Sequence, residues 1–218
     1  MNWKPLAAAV MLAAALVLMI VGQPDLDRKL AWAASDLDEA IASRNYHIDP
    51  AELLELMWNN QLRLALLDVR DEGDYNLFHL IDSRWFAFTE EDLLWSAGLP
   101  GETVRVVLSN DETAANEAWK KLKVLGVPNI YILSGGINVW LSLCKPHKSP
   151  TVEMVPPHIL KPNASALGDD KLKYTFPAAL GDRYPEARPP ATCFADREFT
   201  SKVEVLKPAA VLSGGCGG

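Results

Sequence analysis

The chain has 218 residues, 21 basic and 28 acidic side chains, a net charge of −7 and 49% hydrophobic residues. This excludes global disorder, and the length suits one domain of average size plus extensions. The acidic balance argues against a nucleic-acid partner, since phosphate binding needs a basic face. Cysteines at 144, 193 and 216 make neither a complete disulfide framework nor a metal-finger spacing, so neither a metal nor another cofactor is expected.

Residues 6–22 are an uninterrupted run of apolar or small residues, with Lys4 before it and Asp25 and Asp27 after it. Such a run spans most of a bilayer's hydrocarbon core, and the charge asymmetry puts the N-terminus inside and the body outside. A cleaved signal peptide and an uncleaved anchor both begin this way. The run ends Met19-Ile20-Val21-Gly22, with bulky side chains where cleavage needs small ones, and the Ala31-Trp32-Ala33 site lies beyond several charges. The anchor fits better. The expectation is a transmembrane helix over 1–24, with the body on the periplasmic side of a bacterial inner membrane. Residues 25–46 then form a helical stalk with Leu26, Leu30, Ala33, Leu37 and Ile41 on one stripe. It lies against the body, a second copy or a partner; an ordinary packing helix of the domain fits equally well.

From Asp49 the pattern alternates. Asp49 and Pro50 open a helix, with Glu52 completing a box-like cap, that stops at Asn59-Asn60. Residues 64–69 are a continuous apolar strand ending in Asp68 and Val69, a strand covered on both faces. Residues 84–88 read as an aromatic-rich strand, and Thr89 starts a short helix. Residues 104–108 are another buried strand, 114–125 a helix stopped by Gly126, and 130–133 a last strand before the Gly135-Gly136 opening of a helix through Leu143. Strands separated by helices imply α/β architecture, an open parallel sheet with helices on both faces and a site beyond the carboxyl ends of the strands.

The order Leu67-Asp68-Val69-Arg70, Tyr75, His79-Leu80-Ile81, a buried strand with a polar loop, then Leu133-Ser134-Gly135-Gly136-Ile137 and Trp140 resembles a single rhodanese domain over residues 47–145. The resemblance implies a loop that begins with a cysteine, curls over backbone N–H groups and enters a helix. There a thiolate of lowered pKa takes a sulfane sulfur as a persulfide. In this chain the corresponding loop is Ser109-Asn110-Asp111-Glu112-Thr113-Ala114, with Ser109 at the cysteine position. A hydroxyl cannot hold a sulfane sulfur, no neighbouring base is apparent, and Asp111 and Glu112 repel anions where cations would help. Sulfur transfer and phosphatase chemistry are both unexpected here. The two acidic residues read as helix-capping groups. Asp68 and Arg70 read as a buried pair shaping the loop, His79 as a structural histidine, and Gly135, Gly136 and Trp140 as parts of the structural motif.

Ten of the 15 prolines follow residue 145. Residues 146–218 therefore read as an extended arm along a surface, with 171–176 and 202–206 as candidate edge strands. The Ser213-Gly214-Gly215-Cys216-Gly217-Gly218 end offers an accessible thiol: a sulfur carrier, an attachment point, or a disulfide partner for Cys193 or Cys144. The leading expectation is a membrane-anchored, non-catalytic rhodanese-like domain that binds a protein partner as an accessory subunit of a membrane complex. The alternatives are a sulfurtransferase or persulfide carrier using Cys216, and a redox sensor through Cys193 and Cys216.

Overall fold

The computed structural model describes residues 25–59, 61–143 and 193–203, residues 3, 7, 8 and 10–12 near the start, and the backbone of the pairs 161–162, 174–175 and 186–187. Consecutive apolar residues build the strands because both faces of the sheet are covered. Strands β1 (His47–Ile48), β2 (Leu64–Asp68), β4 (Ser83–Trp85), β5 (Val104–Leu108) and β6 (Ile130–Leu133) form a five-stranded parallel sheet in the order β1-β6-β5-β2-β4. Neighbouring residues of a strand serve opposite faces. Leu66, Val106 and Leu133 pack in one cluster with Leu53 of helix α2 (Pro50–Trp58) and with Ile137 and Trp140 of α6 (Gly136–Leu143). Leu67, Val107 and Ile132 pack in the other, with Trp119 and Leu122 of α5 (Thr113–Val124) and Leu93 of α4 (Glu90–Gly98). The short α3 (Glu72–Leu77) comes after β2.

Helix α1 (Leu26–Ala42) begins at Asp25, whose carboxylate accepts the Arg28 N–H at 2.8 Å. Its second half belongs to the body: Leu37, Ala40 and Ile41 pack on the α5 cluster, and Asp38 pairs with Lys120 at 2.8 Å. Its first half leaves Trp32 73% exposed. Among the described residues no helix is long and apolar enough to cross a membrane, and most of the apolar run 6–22 lies outside them.

Several elements differ from expectation. The 84–88 strand is shorter, because Phe88 adopts φ 59° and turns the chain into the Thr89–Asp92 capping box of α4. Asp49 caps α2 through the Ala51 N–H at 2.9 Å, but Glu52 does not complete the box; its carboxylate binds residues 201–203 instead. In the arm, β8 (Tyr174–Thr175) pairs antiparallel with β7 (Lys161–Pro162) in a two-stranded sheet of their own. Strand β9 (Glu186–Ala187) runs parallel to β3 (His79–Leu80). Lys202 and Val203 form no strand; they dock on α2 through Glu52.

At the opposite end of the sheet from the loop, Arg105 is buried without a carboxylate among its partners. Its guanidinium donates to the carbonyls of Thr103 (2.9 Å), Pro128 (3.2 Å), Ser96 and Leu99 (both 3.3 Å) and Pro100 (3.4 Å). These oxygens include carbonyls left over at the end of α4, so one side chain satisfies acceptors from three segments. Burial holds its pKa below the usual arginine value. Arg105→Met should lower the unfolding free energy by about 2–4 kcal/mol, because the carbonyls lose their donors in a dry setting. Urea unfolding checks this; a loss below about 0.5 kcal/mol, the range of ordinary surface changes, would contradict it.

Candidate functional site

The carboxyl ends of β2 and β5 finish side by side, Asp68 opposite Leu108. Beyond β5 the chain makes a tight loop, Ser109 to Glu112, that enters α5. Ser109 and Asn110 are fully buried. The Ser109 hydroxyl donates to the Asp111 carbonyl oxygen and accepts the Ala115 N–H at 3.2 Å. Asp111 Oδ1 accepts the Thr113 N–H at 2.7 Å. The loop's own side chains thus satisfy two of the N–H groups that the start of α5 leaves without an intrahelical partner. Asp111 acts as the capping group expected of it; Glu112 makes no cap hydrogen bond.

Two walls fix this loop. The first is α6, whose Ile137 and Asn138 N–H groups donate to the Ser109 (2.8 Å) and Asn110 (3.0 Å) carbonyls. That approach needs glycines: Gly135 and Gly136 sit at φ 71° and 64°, and a Cβ on Gly136 would run into the Asp111 and Ser109 carbonyl oxygens. The second wall is a buried network. Arg70 donates to both Asp68 oxygens (2.9 and 2.7 Å), to the Phe78 carbonyl (2.5 Å) and to Asn110 Oδ1 (3.3 Å), while the Asn110 amide donates to Asp74. A fork held on two carboxylate oxygens is rigid, so Arg70 sets where Asn110 can lie. His79 is outside the loop: its Nδ1 meets the Tyr75 carbonyl at 2.9 Å and its ring stacks on Tyr75 at 4.0 Å. Trp140, on α6, packs edge-on against Phe194.

Glu112 turns back from the loop. Both its oxygens engage Arg44, one Arg44 nitrogen at 2.7 Å, and its Oε1 also accepts the Gly135 N–H at 2.6 Å. The Ser134 hydroxyl receives a further Arg44 N–H at 2.8 Å, and His47 Nε2 lies 3.7 Å from Glu112. Burial alone would push the Glu112 carboxyl up, but the Arg44 hydrogen bonds, the Gly135 N–H and the charges of Arg44 and His47 outweigh it and hold it below the usual glutamate range. Burial and the Arg44 charge push His47 down. Sequence reading missed Arg44, whose role depends on a partner 68 residues away, although a cation was the natural companion for an acidic loop. Among the described residues no three His, Cys, Asp or Glu side chains group as a metal site. Cys144 and Cys216 lie outside the described residues; Cys193 is disulfide-bonded.

A parallel sheet whose central strand ends in a tight loop leading into a helix defines an open α/β domain. Residues 49–143 match the family model of the rhodanese-like domain, so the central part of the chain is a rhodanese-like domain. Among solved structures, the BH2092 protein from Bacillus halodurans is similar at 23% identity over 50% of this chain and 80% of its own, with a TM-score of 0.40. No curated protein matches the chain.

Two outcomes test this geometry. Gly136→Ala should cost about 2–4 kcal/mol in denaturant unfolding, since both positive φ and the carbonyl approach oppose a Cβ; a cost below about 1 kcal/mol would contradict the close approach. The Glu112 pair makes stability depend on pH. A carboxyl depressed in the folded state stabilises above its unfolded value, about 4.3, and loses that stabilisation as pH falls through the folded value. Arg44 is partly exposed, so the contribution is about 1 kcal/mol. Below about pH 4.3 the wild type should lose stability more steeply than Glu112→Gln; parallel profiles would contradict the assignment.

Proposed function

We propose that this protein is a membrane-anchored, non-catalytic member of the rhodanese-like class that serves as a binding module, an accessory subunit of a membrane-associated complex. The observation that carries the reading is the state of Ser109: an oxygen stands where a persulfide-forming sulfur would be required, and its hydroxyl is tied into the backbone on both sides. A buried hydroxyl with a carbonyl acceptor and no adjacent base is poorly placed as a nucleophile. The nearby histidine, His47, faces Asn116 at 3.1 Å and Glu112, not the Ser109 hydroxyl. The exposed Trp32 on the outer half of α1 and the half-exposed Trp58 at the end of α2 are aromatic anchors suited to a protein partner.

The membrane and compartment belong to the same reading. The apolar run 6–22, with Lys4 before it and acidic residues after it, supports an anchor with the body on the periplasmic side of a bacterial inner membrane. The disulfide at Cys193 supports an oxidising compartment.

Catalysis is tested with thiosulfate as donor and cyanide as acceptor. Wild type should show no turnover above buffer, and Cys216→Ala should be indistinguishable from it. Turnover lost in Cys216→Ala would replace this reading with a persulfide carrier acting from the C-terminal tail. The anchor is tested by fractionation: the full chain should stay with membranes in high salt, and a chain lacking residues 1–24 should not. Retention of the shortened chain would contradict the anchor.

A further inference from the structure

Strand β4 ends the order of the main sheet, where it pairs with β2, and Phe86 donates to the Asp68 carbonyl at 2.8 Å. The alternation of a parallel ladder then turns the backbone groups of Ser83 and Trp85, and the Ala87 N–H, away from β2. Side chains already hold two of these groups. The Ser83 carbonyl accepts the Tyr75 hydroxyl at 2.8 Å, and the Ala87 N–H donates to Asp92 at 3.0 Å. Caps of this kind keep an edge strand from pairing indiscriminately. Between them, the Trp85 N–H and C=O face outward. The Trp85 side chain is fixed beside them, its Nε1 donating to the Arg70 carbonyl at 2.9 Å while the residue stays 36% exposed. This edge lies in a cleft lined also by Tyr75 of α3 and by Thr89, Glu91 and Asp92 at the start of α4.

We propose that the β4 edge docks an extended segment of a partner protein that carries an apolar residue between two lysines or arginines. This rests on the binding-module reading and gives that module a contact surface. A residue placed antiparallel opposite Trp85 exchanges both hydrogen bonds with it: its carbonyl takes the Trp85 N–H, and its own N–H donates to the Trp85 carbonyl. Its side chain then falls on the Trp85 face of the sheet, and its two neighbours fall on the Arg84 face. The two faces differ in chemistry. On the α4 side the Arg84 guanidinium sits 4.8 Å from the Trp95 ring and pairs with Glu91 at 3.1 Å and Asp92 at 3.3 Å. The first turn of α4 carries Glu90, Glu91 and Asp92, so three carboxylates meet one guanidinium, and Glu90 and Glu91 are exposed. Basic side chains complement that excess of negative charge. On the other face the Trp85 indole offers apolar surface to the central residue. A second copy fits poorly, because pairing β4 with itself would bring two acidic turns together; an anionic lipid surface meets the same repulsion.

The full chain in detergent tests the site with the peptide acetyl-Ser-Thr-Lys-Val-Lys-Thr-Ser-amide, followed by amide chemical shifts. Saturable movement of the Trp85 amide is expected, with a Kd of about 1 mM or tighter. A peptide with Glu for both Lys, or with Pro for Val, which removes the N–H meant for the Trp85 carbonyl, should bind about tenfold more weakly. Glu90→Gln combined with Glu91→Gln should weaken the Lys peptide about threefold or more and leave the protein folded, since both side chains are exposed. No saturable shift at Trp85, equal binding of the Lys, Glu and Pro peptides, or unchanged binding by the double variant would overturn the proposal. A Trp85 amide that moves with protein concentration in the absence of peptide would overturn it in favour of a second copy. A protein that binds no peptide and turns over no thiosulfate loses this docking site and keeps the non-catalytic reading. Peptide binding together with turnover does the reverse.

Discussion

Ser109 closes the loop after β5 with its own hydroxyl, donating to Asp111 and accepting from Ala115. Everything distinctive about the site depends on that closure. A cradle of N–H groups at a helix N-terminus favours an anion, and an external one competes with whatever the chain already places there. Here Ser109 and Asp111 occupy two of the donors, and the loop's other acidic residue, Glu112, is drawn aside by Arg44 and the Gly135 N–H. The loop's interior is satisfied by the protein itself. The Asp68–Arg70–Asn110 network and the Gly135-Gly136 approach hold this closed geometry from two sides.

Glu112 changes the sense of the loop's charge. As a sequence, Asp111-Glu112 is a pair of anions that repels other anions. In the structure one of the two is neutralised by a cation from the turn after α1, so repulsion at the loop falls mainly to Asp111. The Arg44–Glu112 pair also ties the turn after α1 to the loop, and the Lys202 ammonium donates to the Arg44 carbonyl from the other side. Helix α1, the loop and residues 193–203 meet at Arg44.

The sheet was readable because its central strands are apolar at nearly every position. Leu64 to Asp68 and Val104 to Leu108 stand out as buried on both faces, and Gly126 and Gly135-Gly136 mark the helix ends with positive φ. The two-residue strands β1 and β3 are too short to carry a period, and Phe88 looks like a strand residue until its backbone turns left-handed. At the site, the position of Ser109 was legible from motif order, whereas its hydrogen bonds and the Arg44–Glu112 pair arise only when distant segments meet. Glu52 is the clearest case. Its spacing after Asp49 fits a capping box, yet its carboxylate bonds across about 150 residues of chain to Lys202 and Val203. Residues 193–203 have no periodicity that would announce a docked segment.

Amide chemical shifts of the full chain in detergent, followed during titration with thiosulfate and with sulfate, examine the closed loop most directly. A loop satisfied by Ser109 and Asp111 predicts no saturable shifts at Asp111 to Ala115 up to about 10 mM, a concentration at which even a binding free energy of only about −3 kcal/mol would show. Saturable movement of those amides with either anion would mean that the cradle is open, and that Ser109 does not close it.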